Sequence, residues 1–516
     1  MSQTRRDFLK YLSLTGAALG VPGVSTGAPH LSAGRESVAV TGRVTGPDGG
    51  LEGVPVTDGV AVTQTGPDGR YELAASPRRP FVYLSVPSGY RLPTHETGTA
   101  RFYRPLGAAG GGTAEASFRL TPLDRDDEQH AFLFLADPQT RTAAEMRQFR
   151  DETVPDVQEA VRALGDRPVF GVGGGDLVFD ELSLFSGYEA AVEEMGIPFV
   201  QAVGNHDLNF DAPGDPGSTA TFRQHFGPEY YSFDRGTVHY VVLDDVYWPG
   251  SDGLGRETGD YHGHLDAAQL AWLEQDLALV EDGRPVVVFT HIPPLSTAYE
   301  RRGEDSPSVR GRIGNRAALY ELLGPFDAHI VSGHVHENEH RFADGPHEHV
   351  VGTVCGAWWT GPVCYDGTPK GYAVYEVDGD SVAWRYKATG RAADHQVRAY
   401  PSGADPEAPG EWVANVWDAT DDWTVVWYED GIRTGAMARR VGLDPMSRRR
   451  HEGDNQPEKH TWVEPQPTAH LYYAPASPDA KGVRAEATDP SGRTDGGRPS
   501  SNRGGTRPLL GRPLAV

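Results

Sequence analysis

Cysteine is almost missing from this sequence: 516 residues contain two, Cys355 and Cys364, both within GTVCGAWWTGPVCYDG. Neither lies directly behind the N-terminal apolar run, so a cysteine-linked lipid anchor is not expected there. The pair leaves two readings open, a local disulfide or two small buried hydrophobes, because spacing alone does not fix disulfide geometry. Long apolar runs are missing as well. No stretch beyond the N-terminus reaches the ~18 apolar residues that a membrane-spanning helix requires. Positive charge is in deficit, with 47 Lys and Arg against 72 Asp and Glu and a formal net charge of −25. Such a surface repels nucleic acid and anionic lipid, so neither is an expected partner, and stable membrane insertion is not expected either. The balance does not describe any one cleft, because bound divalent cations reverse the local field.

Glycine (63 residues) and proline (40) are plentiful beside a hydrophobic fraction of 38%, a composition of packed cores joined by many turns. The length predicts two to four domains. Residues 1–33 read as a twin-arginine export signal, in which Arg5 and Arg6 precede Phe8, Leu9, Lys10 and a short Gly-rich apolar run. The expected location is periplasmic, cell-surface or extracellular. Residues 36–121 read as a small β-sandwich, with VAVTGRV, GVPVTDGV, RYELAA, FVYLSVP and ASFRL as strands and GPDG as a repeated turn. Residues 128–390 alternate apolar strands with helices at 142–164, 181–195 and 266–281, an α/β pattern with a sheet covered on its faces. In the last helix Asp266 is the expected cap, Gln269 completes a variant capping box, and Leu270, Leu273 and Leu277 share a face. Residues 403–493 read as a second β-sandwich behind the linker YPSGADPEAPG, and 494–516 as a disordered Gly/Arg/Ser/Pro-rich tail.

Five polar clusters each end an apolar run of the central region. They are ADPQ (Asp137, Gln139), GGGDLVFD (Asp176, Asp180), AVGNHDL (Asn205, His206, Asp207), VVFTHIPP (His291) and VSGHVH (His334, His336). Side chains at strand ends converge from a rigid sheet onto one point. Carboxylates, imidazoles and an amide oxygen without thiolate suit manganese, iron or zinc. The remaining histidines near this region, His262, His264, His340, His347 and His349, read as solvated loop residues. The arginines of RRGEDSPSVRGR, from Arg301 to Arg312, read as a solvated charge run. Trp358 and Trp359 of GAWW fit either a substrate pocket or a packed domain seam.

In this order the clusters resemble the calcineurin-like metallophosphoesterase superfamily, whose pattern is D-x-H, G-D, G-N-H-[DE], H and G-H-x-H. The stretches FGPEYYSFDRGTVHYVVLD and QLAWLEQDL are similar to those between its third and fourth motifs. The outer β-modules resemble the domains that accompany an exported branch. The resemblance implies a four-layer α/β/β/α sandwich flanked by two small β-sandwich domains, with two divalent metal ions at the strand ends. It implies that Asp137 and His336 hold the first ion, that Asp176 bridges, and that Asn205, His291 and His334 hold the second. His206 would be the catalytic histidine beside the scissile phosphate, oriented by Asp207 or Asp180. A shared carboxylate offsets repulsion between the ions, which together acidify a bridging water toward a pKa of ~7. The main departure is Gln139 at the D-x-H histidine position; its amide oxygen is expected to coordinate weakly or to bond a coordinated water.

The implied function is an exported phosphoesterase in which a metal-bridging hydroxide attacks a phosphodiester or phosphomonoester. Unlike in the serine/threonine phosphatases, no arginine follows the second or third motif, which favours a diester or a bulky monoester. The alternative is a non-catalytic surface binding protein with a vestigial core. An exported nucleotidase, with Trp417, Trp423 and Trp427 stacking a base, is a third reading. Oligomeric state is not legible.

Overall fold

The computed structural model describes residues 37–106, 113–250, 261–342, 345–453, 456–477, 479–480 and 482–497. The expected export signal and the expected tail beyond residue 497 lie outside the described residues. No helix among the described residues is long and apolar enough to cross a membrane.

The run HAFLFL forms the strand Gln129–Leu135, buried on both faces after its first residue, as expected for a strand covered by further layers. It is the middle strand of a five-stranded sheet ordered Phe199–Ala202, Val169–Gly174, Gln129–Leu135, Gly371–Asp378, Ser381–Ala388. The first three are parallel, whereas Gly371–Asp378 runs antiparallel beside Gln129–Leu135 and returns as a hairpin. A six-stranded sheet follows the order Tyr231–Arg235, Val238–Val242, Pro285–Phe289, Asp327–Ser332, His347–Val350, Glu339–Arg341. Its four inner strands are parallel and its two edges antiparallel.

Alternation along each strand sorts side chains between two layers. Phe132 and Phe134 meet Phe289, Tyr240 and Val331 between the sheets, with Phe132 stacked on Tyr375 at 4.3 Å. On the outer face, Ala131, Leu133 and Leu135 pack against helices Ala143–Ala163 and Phe185–Met195. Val241, Val286, Val288 and Ile330 do the same against Ala267–Leu277 and Arg316–Leu323. The result is the α/β/β/α arrangement. Asp266 caps Ala267–Leu277 by accepting from the Gln269 amide at 2.7 Å. The capping box itself does not form, because the Gln269 side chain is taken by both backbone groups of Asp244 at 2.7 and 2.8 Å.

Between the second sheet and this helix lies a buried ion-pair triad, His239 with Asp234 and Asp276, each contact 2.9 Å. Burial alone lowers the imidazole pKa, but the Asp276 charge and two hydrogen bonds outweigh it and raise it to about 10. A histidine raised above its unfolded value of ~6.5 stabilises fully below that pH and loses the contribution as pH climbs through 10. Urea unfolding is therefore expected to show stability falling from about pH 6.5 toward 10. His239→Gln should cost about 3 kcal/mol at low pH, the scale of a broken buried pair, and flatten that slope; an unchanged slope would remove His239 as its source.

Two β-modules flank the layers. Before them, Val38–Gly46 pairs with Arg70–Ala75, Thr113–Glu115 and Phe118–Arg119, facing a four-stranded sheet. After them come a sheet Arg398–Tyr400, Glu411–Asn415, Pro467–Pro475, Ala438–Leu443 and a sheet Ile432–Ala436, Thr424–Glu429, Val483–Thr488, Thr494–Gly497. The latter module extends past the expected limits at both ends. Arg398–Tyr400 pairs with Glu411–Asn415, placing Tyr400 in a strand rather than a linker. Thr494–Gly497 pairs with Val483–Thr488 and buries Asp495 and Gly497, so the segment expected as tail begins as a strand.

Candidate active site

All five polar clusters sit at one end of the two sheets. Asp137, Asp176 and Asn205 follow strands Gln129–Leu135, Val169–Gly174 and Phe199–Ala202, while His291, His334 and His336 follow Pro285–Phe289 and Asp327–Ser332. Parallel strands send these turns to the same edge. The approach is close enough that a Cβ on Gly204 would lie 1.9 Å from the Asp176 backbone nitrogen. Ten described non-glycine residues have positive φ, and six of them are Asp137, Gln139, Asp176, Asp180, His334 and His336. Such backbone costs about 1–3 kcal/mol per residue and persists where surrounding contacts enforce it, typically at functional sites.

The side chains converge. His291 Nε2 lies 3.2 Å from Asn205 Oδ1, 3.3 Å from Asp176 Oδ1 and 3.2 Å from His334 Nδ1. His291 Nδ1 is tied to the Gly174 carbonyl at 2.9 Å, which aims Nε2 inward. Beside this group, His336 Nδ1 bonds the Gly356 carbonyl at 2.6 Å. His336 Nε2 and Asp137 Oδ1 face each other at 3.5 Å, both buried and without a hydrogen-bond partner. Asp137 Oδ2 accepts from the His334 amide at 2.9 Å. Orphaned buried atoms of this kind are costly, and a donor set of carboxylate, imidazole and amide oxygen fits divalent transition-metal ions. The atoms offered by Asp176, His291 and His334 all fall within 4.8 Å of one another.

Electrostatics agree with that fit. Burial lowers the His291 pKa, but Asp176 overcomes it and pushes it up to about 10. Burial raises Asp176, and the charges of His291 and His206 outweigh it and hold the carboxyl well below its usual range. His334 is driven down to about 3 by burial and by His291. Acceptors that keep a proton on His291 are equally suited to a cation.

His206 stands at the rim. Its backbone nitrogen donates to Asp176 Oδ1 at 2.8 Å, its Nδ1 meets Asp180 Oδ1 at 2.6 Å, and Phe179 packs on the ring at 4.1 Å. Of the two carboxylates expected to orient it, Asp180 is the one in contact with the ring. Asp207, expected among the catalytic residues, instead accepts from the Gly204, Leu177 and Val178 amides at 2.9, 3.2 and 3.2 Å. With its oxygens engaged, it shapes the loop and does not touch His206. Gln139 also departs from expectation. Its amide nitrogen donates to Asp176 Oδ2 at 2.6 Å and its oxygen faces Cys355 Sγ at 3.7 Å, so it braces the central carboxylate and is not placed as a ligand.

The calcineurin-like phosphoesterase family model matches residues 130–338, and the models for the N terminal and the C terminal of calcineurin-like phosphoesterase match 38–123 and 348–494. The chain belongs to the calcineurin-like phosphoesterases. Strands Gly371–Asp378 and Ser381–Ala388 of the central sheet fall within the C-terminal match. This calcineurin-like phosphoesterase is 28% identical over 156 residues to purple acid phosphatase 23 of Arabidopsis thaliana, covering 28% of this chain and 29% of that one. It is 28% identical over 199 residues to the serine/threonine-protein phosphatase CPPED1 of Bos taurus, covering 35% of this chain and 57% of that one. Over 197 residues it is 26% identical to a cAMP/cGMP dual specificity phosphodiesterase of Mycobacterium tuberculosis, 36% of this chain and 54% of that one. The chain thus spans well under two thirds of these curated relatives. Among solved structures, purple acid phosphatase PPD1 of yellow lupin matches 52% of each chain at 15% identity and a TM-score of 0.36.

Several residues of the phosphoesterase site were not expected. Asp245 accepts from the His291 and Ile292 amides at 3.0 and 2.8 Å and so fixes the His291 turn; the signal was VVLDD, two more carboxylates closing an apolar strand. Trp358 stacks on His336 at 4.1 Å, and Trp462, from the C-terminal module, meets Trp358 edge-on at 4.4 Å. His460 joins Trp462 to Phe179, completing an aromatic wall from His336 round to His206. Trp359 packs, donating to the Pro138 carbonyl at 3.0 Å, so GAWW serves pocket and seam together. Both cysteines are free and buried. Trp417 and Trp427 are buried in packed cores and offer no stacking face. The Arg301 side chain is largely covered rather than solvated, paired with Glu337 and bonded to the Pro467 carbonyl at 2.9 Å, which fastens the C-terminal module.

Proposed function

We propose that this chain is an exported binuclear metal-dependent phosphoesterase acting on a phosphodiester, or on a monoester with a bulky apolar group. The observation that carries the reading is the convergence of Asp137, Asp176, Asn205, His291, His334 and His336, with Asp137 Oδ1 and His336 Nε2 left without partners. Asp137 and His336 would hold one ion, Asn205, His291 and His334 the other, with Asp176 between them. Two divalent ions held there would supply Lewis acidity toward the phosphoryl oxygens and lower the pKa of bound water. Asp180 holds His206 by Nδ1, leaving Nε2 free to give a proton to the departing oxygen. Gln139 fixes the rotamer of Asp176 by donating to it.

The aromatic wall supports the substrate class. Trp462 is 55% exposed at the end of the Trp358–His336 stack, where it can cover an apolar or planar ester group. Trp462→Ala is expected to lower kcat/KM for a bis-aryl diester about tenfold, the ~1.4 kcal/mol typical of a lost aromatic contact, with kcat/KM for methyl phosphate nearly unchanged. Equal losses on both substrates would remove Trp462 as a specificity element. Export rests on Arg5 and Arg6. Changing both to lysine is expected to leave the protein in the cytoplasm on fractionation, and unaltered export would end that part of the proposal.

The test of the function itself is a panel of aryl diesters and monoesters after metal removal and reloading with manganese, iron or zinc. Turnover restored by metal supports the assignment, and diester turnover supports the preferred class. No turnover with any ion would leave the vestigial reading standing.

A further inference from the structure

A second nitrogen-rich cluster lies within the six-stranded sheet, back along its strands from the ends that carry the first. His329 is the third residue of strand Asp327–Ser332, whereas His334 follows its end; five residues at ~3.3 Å each separate them by roughly 15 Å. Strand register pairs His329 with His347 and His349 with His340, and the two-residue repeat puts His347 and His349 on one face. All four rings therefore meet between the sheets. His340, His347 and His349 are not the solvated loop residues that sequence suggests: with His329 they lie on strands, and His349 is fully buried.

The contacts do not satisfy these rings. His329 Nδ1 and His349 Nε2 share one hydrogen bond at 3.0 Å, and His340 Nε2 meets Asp418 Oδ1 at 2.8 Å. His347 Nε2, His349 Nδ1 and His340 Nδ1 are buried without partners, at a cost of about 1–3 kcal/mol each. One nitrogen from each of His329, His347 and His349 falls within 4.8 Å of the others. Tetrahedral coordination at ~2.1 Å sets donors roughly 3.4 Å apart, so sub-ångström shifts of each ring suffice. Burial, then mutual repulsion, holds the His347 and His349 pKa values far below the usual range, leaving neutral rings with lone pairs. A 450 Å³ pocket lined by His329, His347 and Phe342 opens beside them, and the exposed Phe342 ring lies over His347 at 3.8 Å.

We propose that His329, His347 and His349 form a separate structural site for a borderline divalent transition-metal ion such as zinc or nickel. An all-imidazole set with no carboxylate or thiolate favours these ions over manganese, magnesium or calcium. Each ring gives one lone pair and keeps its single N–H on the other nitrogen, which requires the proton shared by His329 and His349 to relocate. Such an ion would clamp strand His347–Val350 to its neighbour Asp327–Ser332, with Trp384 of the other sheet lying 4.7 Å from His349.

Crystals of the intact protein soaked in nickel chloride, with data on both sides of the nickel edge, give a direct test. An anomalous peak about 2.1 Å from ring nitrogens of His329, His347 and His349 supports the site. Its absence, or a peak at the catalytic residues alone, overturns it. In parallel, zinc-equilibrated wild type is expected to hold one more zinc per chain than His347→Gln, with phosphoesterase activity unchanged. Equal zinc content in the two proteins overturns the proposal.

Discussion

Asp176→Asn is expected to lower kcat about a thousandfold and to strip metal from the protein. Both oxygens of this central carboxylate are held in place. One oxygen accepts from the His206 amide and faces His291 Nε2 at 3.3 Å; the other accepts from Gln139 at 2.6 Å. Asparagine would oppose an N–H₂ group to one of these donors and remove the negative charge that holds cations together. A loss of about 4 kcal/mol in transition-state stabilisation, the scale of metal-assisted charge neutralisation, is three decades in rate. Elemental analysis and kcat on the same preparation check this, with a thermal melt to show folding. A folded variant with full metal and ordinary kcat would remove Asp176 from the centre.

The second large effect is expected at His206. His206→Ala should retain metal yet lower kcat on an alkyl phosphoester by roughly a hundredfold or more, the usual worth of a positioned proton donor. On a nitrophenyl ester, whose leaving group needs no protonation, the loss should be much smaller. Asp180→Asn should show the same leaving-group dependence more weakly, because Asp180 acts by holding the ring. Asp207→Asn should chiefly cost stability, since that carboxylate organises three backbone amides. Equal losses on both substrates for His206→Ala would assign the residue to binding.

The fold was legible where burial made sequence monotonous. HAFLFLA, RPVFGVG, RPVVVFT and DAHIVSG are apolar because both faces are covered, and each terminates in the polar residues that converge. Polar residues inside the core misled. The strand pair carrying His340, His347 and His349 reads as loop because histidine is ordinarily solvated, yet these rings pack against Trp384. Arg301 misled for the same reason, its partners Glu337 and Glu339 lying far along the chain. The choice between Asp180 and Asp207 was beyond sequence, because it depends on which carboxylate the loop amides claim first. The GNHD spacing places Asp207 inside its own turn and leaves Asp180 to reach His206.

The position of Gly371–Asp378 bears on how the chain is made. This strand lies directly against Gln129–Leu135, about 240 residues earlier, and buries Tyr375 on Phe132. A nascent polypeptide that has emerged only as far as Ser332 already carries the polar motifs through His291, but its first sheet still presents Gln129–Leu135 as a raw edge. Closure waits for the late hairpin, so synthesis must run nearly three quarters of its course before the oldest core strand is sealed. Pairing across such sequence separation is slow, and an unsealed apolar edge invites association between chains, so a chain paused ahead of residue 371 leaves that edge open to its neighbours.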